Sequence, residues 1–91
     1  MTPAAAFAMD RLSLLAKLFD HARVHARGDS LALSEILDHA AILLDEIAPA
    51  VASCKGGPDE EIVVRAARDA QERHADLVQV IGIEIERIAK E

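Results

Sequence analysis

Apolar residues recur along the chain with the spacing of amphipathic helices. In the middle of the chain seven positions step alternately by four and three, and they are Leu33, Leu37, Ala40, Leu44, Ile47, Val51 and Cys54. A similar series follows in the last third, comprising Val63, Ala67, Ala70, His74, Leu77, Ile81, Ile85 and Ile88. This spacing keeps one face of each helix apolar and resembles the seam of a coiled coil. The first third carries a broader apolar face, which includes Phe7, Leu15 and Phe19.

Glycine and proline divide this pattern into three predicted helices. Gly28 and Gly56 each follow a basic residue, which is the arrangement expected where a helix ends. Thr2 can cap the first helix, and Pro58 fits the first turn of the third. The alternative N-caps for the second helix are Asp29, Ser30 and Ser34. We predict an all-α, three-helix antiparallel bundle, with helices at about 3–27, 31–55 and 58–90.

Two segments conflict with regular helices. Pro49 lies inside the second helix, but at about 100° per residue it falls opposite the apolar seam. We therefore predict that the second helix is kinked at Pro49 on its solvent side, the alternative being a break before the proline. Residues 78–85 alternate like a strand. We assign them to the third helix, because the four-three pattern continues through them and the chain offers no partner strand.

The length and the net charge of the chain limit its possible folds and its possible classes of partner. The chain has 91 residues, of which 52% are hydrophobic, so we predict a single domain over 1–91 with one core. The net charge of −6 argues against a nucleic-acid partner, because phosphate contacts need clustered Lys and Arg. It also disfavours docking on an anionic membrane surface. A basic partner protein suits this charge, although the charge is also ordinary for a soluble domain.

The chain shows no targeting signal that we can identify. No apolar run approaches the roughly 20 residues of a membrane span, and residues 1–11 lack the features of a signal peptide. The lone Cys54 cannot form an intrachain disulfide, which fits a reducing compartment. The use of Ala, Arg and Asp is typical of a GC-rich bacterial or phage gene. We therefore expect a cytoplasmic protein of bacterial or phage origin.

The third predicted helix is longer than the other two, and its C-terminal end is its most apolar part. Val80 and Ile83 project away from the face that continues the seam. Exposed apolar patches of this kind usually mark an interface, and a homodimer is the commonest outcome. The alternative is that the first helix covers this end. The residues that we predict for a partner or oligomer interface are His74, Leu77, Val80, Ile81, Ile83, Ile85 and Ile88.

Histidines are the residues best suited to chemistry in this chain. His74 lies on the apolar face, where an imidazole needs a hydrogen-bond partner or a ligand, and we favour a hydrogen-bonded structural histidine. His21 and His25 are four residues apart, so both point the same way and can supply two Zn²⁺ ligands. They lack the glutamate of the HExxH motif of zinc proteases. Candidates for a third ligand are His39, Asp38 and Asp20.

Charged residues spaced by four follow the start of the third helix. Glu61, Arg65, Asp69 and Arg73 alternate in sign. This spacing predicts ion pairs along a solvated helix face.

No catalytic motif stands out in the chain, so we predict a protein that is not an enzyme. The leading interpretation is a small acidic helical bundle that binds a protein partner, and itself, through helix–helix contacts. Such a protein acts as an adaptor, chaperone, inhibitor or regulator and needs no cofactor. The alternative is a histidine-based module that binds a metal such as Zn²⁺, or haem, through His21 and His25 or through His74 across a dimer axis. A third interpretation is a small enzyme with a histidine base at an oligomer interface.

Overall fold

Three helices form the protein. The computed structural model describes residues 1–26 and 28–90, except for the side chains of residues 84, 85, 87 and 88. It contains α1 (Pro3–His25), α2 (Ser30–Ser53) and α3 (Glu60–Lys90), and the described residues form no strand. The prediction of an all-α three-helix bundle is therefore confirmed, with each helix end within two residues of its predicted place. Residues 78–85 belong to α3, as predicted.

Side chains cap the first two helices. The Thr2 hydroxyl oxygen accepts a hydrogen bond from the backbone N–H of Ala5 at 3.2 Å. The Asp29 carboxylate accepts one from Ala32 at 3.0 Å. These bonds satisfy backbone donors that have no partner inside a helix. Of the three candidate caps for α2, Asp29 is the one used.

Both interhelical turns use a glycine in the left-handed region. Gly28 has a φ of 83° and Gly56 a φ of 79°, and each lies three residues after the last helical residue. Helix α3 begins later than predicted, and Pro58 lies in the turn before it. The Glu60 carboxylate accepts a hydrogen bond from the backbone N–H of Gly56 at 2.6 Å, which ties the start of α3 to this turn.

Helix α2 runs through Pro49 to Ser53, so the alternative of a break before the proline is wrong. Pro49 is exposed, as its position opposite the seam predicts. The Ser53 hydroxyl donates a hydrogen bond to the Pro49 carbonyl oxygen at 3.0 Å. The predicted kink at Pro49 stays a prediction.

The core forms three layers along the bundle. The middle layer contains Leu12, Leu15, Phe19, Ala40, Leu43, Ile47, Ala67 and Ala70. One end contains Ala5, Ala8, Cys54 and Val63, and the other contains Ala22, Ala26, Leu33 and Leu37. The layers place the starts of α1 and α3 at the same end, with α2 antiparallel to both. At that end the Thr2 backbone N–H donates to the Asp59 carboxylate at 3.2 Å.

The apolar face of α2 is wider than the predicted seam. Leu43 is buried and Leu44 is half-buried, because α2 packs between two helices and uses positions on both sides of the seam. No helix in the described part of the chain is both long and apolar enough to cross a membrane.

Candidate interaction surface and histidine pair

Helix α3 extends beyond the rest of the bundle. It has 31 residues, against 23 in α1 and 24 in α2. At a rise of about 1.5 Å per residue it is therefore roughly 10 Å longer than either neighbour. The apolar clusters of the described residues reach Ile81 and include no residue after it. We call residues 82–90 the α3 tip.

The predicted interface residues fall into two groups. His74, Leu77 and Ile81 are half-buried on the inner side of α3, and Leu77 and Ile81 pack against the end layer of the core. Val80 and Ile83 are exposed, Ile83 to 67%. The side chains of Ile85 and Ile88 lie outside the described residues. Exposed apolar side chains thus occur both beside the tip and on it.

A groove runs between α2 and α3 on the same part of the molecule. It has a volume of about 210 Å³. Its lining residues are Ser34, Leu37, Asp38 and Ala41 from α2, and His74, Val78 and Ile81 from α3. We call it the α2–α3 groove. Two of the predicted interface residues, His74 and Ile81, therefore line a groove instead of a flat face.

His74 is hydrogen-bonded within the chain. Its Nε2 atom lies 3.2 Å from the carbonyl oxygen of Leu37. Because a carbonyl only accepts, Nε2 must carry the proton for this bond to form. The imidazole also lies near the Phe19 ring, with 6.4 Å between centroids and a tilt of 59°. This geometry agrees with the interpretation of His74 as a structural histidine.

His21 and His25 form an adjacent pair on the outside of α1. Both are exposed, and their ring centroids lie 4.7 Å apart with 39° between the ring planes. Among the side chains that the structure describes, no group of three or more potential ligands is placed to hold a metal ion. The carboxylate of Asp20, a candidate third ligand, instead accepts a hydrogen bond from Arg73 at 2.8 Å. The pair by itself offers two ligands.

Of the three helices, α2 has the largest net negative charge. This helix carries Glu35, Asp38, Asp45 and Glu46 and contains no Lys or Arg. In the part of the chain that the structure describes, only Glu46 among them has a basic partner, Arg11, with 3.7 Å between Nε and the carboxylate. The sequence analysis missed this difference in net charge between the helices, because it considered only the net charge of the whole chain. Counting charges helix by helix would have found it.

Comparisons with known proteins do not supply a function. No protein-family model, no curated protein and no solved structure matches the chain. The features of the molecule that bear on function are therefore the α3 tip, the α2–α3 groove and the pair His21 and His25.

Proposed function

We propose that this chain is a non-enzymatic interaction protein that binds itself and a protein partner through helix–helix contacts. In this role it serves as an adaptor, chaperone, inhibitor or regulator. The observation that carries the proposal is the end of α3, where Val80 just before the α3 tip and Ile83 on the tip are both exposed. The proposal includes a cytoplasmic location, in keeping with the single buried Cys54.

Energetics support an interface at this place. Burying an isoleucine side chain stabilises a complex by about 1.5–3 kcal/mol relative to leaving it in water. Val80 and Ile83 are three positions apart, so they lie on neighbouring turns and can contact one partner helix together. In a two-fold dimer each such contact occurs twice. A homodimer that buries Val80 and Ile83 of both copies is therefore stabilised by apolar burial, although the contacting segment is short.

The substitution Ile83→Glu tests self-association directly. We expect the wild-type protein to form dimers in a concentration series by gel filtration with light scattering, and Ile83→Glu to shift them to monomers. Ile62→Glu is the matched control, because Ile62 lies on the same helix and is 56% exposed but is far from the tip. A wild-type monomer at every concentration, or an equal effect of Ile62→Glu, would count against the proposal.

We propose as the second candidate a metal- or haem-binding module that uses His21 and His25. Support comes from the close, exposed rings, whose i,i+4 spacing is known for pairs of zinc ligands on one helix face. Water or a second copy would complete the coordination. Calorimetry with Zn²⁺ tests this candidate: we expect heat from wild type, none from His21→Ala/His25→Ala, and full heat from His39→Ala. A wild-type titration without heat would rule out zinc binding by this pair.

A further inference from the structure

Two rows of residues at helical spacing extend from the lining of the α2–α3 groove. On α2 the row steps alternately by four and three, through Ser34, Asp38, Ala41 and Asp45. On α3 a row with the same steps contains Gln71, Ala75 and Val78. Such steps keep each row on one side of its helix. We call these rows the two walls, and every residue in them is exposed or half-buried.

The walls leave room for another helix. Small side chains let helix backbones approach closely, and the walls include Ser34, Ala41 and Ala75. Leu37 and Ile81 provide an apolar floor between the walls, with Val78 at the rim. A helix with one apolar face fits this shape.

Charge along the groove has one sign. Asp38 and Asp45 belong to the α2 wall, and neither forms an ion pair with any other described residue. The α3 wall contains no charged residue. A helix in the groove would therefore meet carboxylates along one flank and uncharged side chains along the other. Such a flank attracts a basic helix and repels an acidic one.

We propose that the α2–α3 groove binds a basic amphipathic helix of a partner protein. The apolar face of that helix contacts Leu37, Val78 and Ile81, and its Lys or Arg side chains pair with Asp38 and Asp45. The inference rests on the proposed function and specifies the chemistry of the partner. A second copy of this chain is a poorer occupant, because its net charge of −6 brings like charge to the groove.

A synthetic probe tests the chemistry of the partner. The probe is a labelled amphipathic helix with Leu and Ala on one face and Lys on both flanks. The control peptide has the same sequence with every Lys replaced by Glu. In fluorescence anisotropy we expect the Lys peptide to bind, with an affinity that falls as salt is added, and the Glu peptide to remain free. Failure of the Lys peptide to bind at low salt would overturn the proposal.

Two pairs of variants test the place of binding. The double substitution Asp38→Asn/Asp45→Asn should weaken binding of the Lys peptide about tenfold, because it removes two exposed charge pairs. Asp69→Asn/Asp76→Asn changes the net charge equally, on the side of α3 away from the groove, and should have little effect.

Likewise, Ala75→Arg should block the groove by bulk and charge. Its control, Gln79→Arg, adds the same charge on an exposed position of α3 outside the walls and should bind the peptide like wild type. Equal losses in the test and control variants would place binding elsewhere and overturn the proposal.

The peptide experiment also separates this inference from self-association. Ile83→Glu should bind the Lys peptide as wild type does, because Ile83 does not line the groove. A wild-type protein that forms dimers but does not bind the Lys peptide would overturn the groove proposal and would still support self-association. A monomer that binds the peptide with the expected loss in Asp38→Asn/Asp45→Asn would support the groove and overturn self-association.

Discussion

The His74 imidazole joins α3 to the backbone of α2 through the Leu37 carbonyl oxygen, 3.2 Å from Nε2. The same ring lies 6.4 Å from the ring of Phe19 on α1. One side chain therefore links all three helices between the middle layer and one end layer of the core. His74 stabilises the floor of the α2–α3 groove while its outer edge lines that groove.

We expect His74→Ala to destabilise the protein by about 1–2 kcal/mol, because it removes one hydrogen bond and the packing against Phe19. Urea unfolding followed by circular dichroism measures the change. His74→Gln should recover part of the loss, since its amide can still donate to Leu37. His39→Ala is the control, because His39 is exposed. Equal stability of His74→Ala and wild type would show that the contact contributes nothing.

Features that depend on neighbouring residues were predictable from the sequence. The chemistry of a few adjacent residues explains the cap at Thr2 and the positive φ at Gly28 and Gly56. It also explains the cap at Asp29, which was one of three candidates. The start of α3 was placed less well. Pro58 is suited to a first helical turn, but the Glu60 carboxylate bonds to Gly56 and the helix begins after the proline.

Features that depend on how helices pack were harder to predict. The four-residue spacing of Asp69 and Arg73 suggests a pair within α3, yet Arg73 bonds to Asp20 on α1. The α2–α3 groove escaped prediction for the same reason, because each of its walls looks like an ordinary solvated face. Only the rotation of α2 against α3 brings Asp38 and Val78 to one groove.

The ion pair between Asp20 and Arg73 should contribute measurably to stability. Its atoms lie 2.8 Å apart, and the Arg73 guanidinium also covers the Phe19 ring at 5.4 Å. A double-mutant cycle with Asp20→Ala and Arg73→Ala should give a coupling energy of about 0.5–1 kcal/mol, the upper part of the range for exposed pairs. The pair Glu61 and Arg65 is more exposed and lies within one helix, so its cycle should give less. The reverse order would contradict this prediction.

Glycine-to-alanine substitutions should have opposite effects at two positions. Gly56 has a φ of 79°, where a Cβ costs about 1 kcal/mol, so Gly56→Ala should lower the melting temperature. Gly82 lies inside α3 with open space around it, and alanine there should stabilise the helix by about 0.5–1 kcal/mol. Scanning calorimetry of both variants compares them. Changes of the same sign would contradict the assigned backbone conformations.

Adjacent leucines on α1 test the orientation of the helix in the core. Leu15 is fully buried in the middle layer, whereas Leu14 is 42% exposed. Leu15→Ala should cost about 2–5 kcal/mol, because it removes apolar contacts and leaves a cavity. That is a large part of the roughly 5–15 kcal/mol that stabilises a typical domain. Leu14→Ala makes the same chemical change on the same helix and should cost much less.

Urea unfolding of the two variants gives the comparison, with far-ultraviolet circular dichroism to confirm that each remains helical before denaturant is added. If Leu15→Ala is unfolded before denaturant is added, a comparison of two milder substitutions takes its place. These are Ile47→Val on α2, at a buried position, and Ile62→Val on α3, at an exposed position. Cavity formation predicts a cost of about 0.5–1.5 kcal/mol for the buried position and little for the exposed one. Similar costs at buried and exposed positions would mean that α1 and α2 do not pack by the faces described.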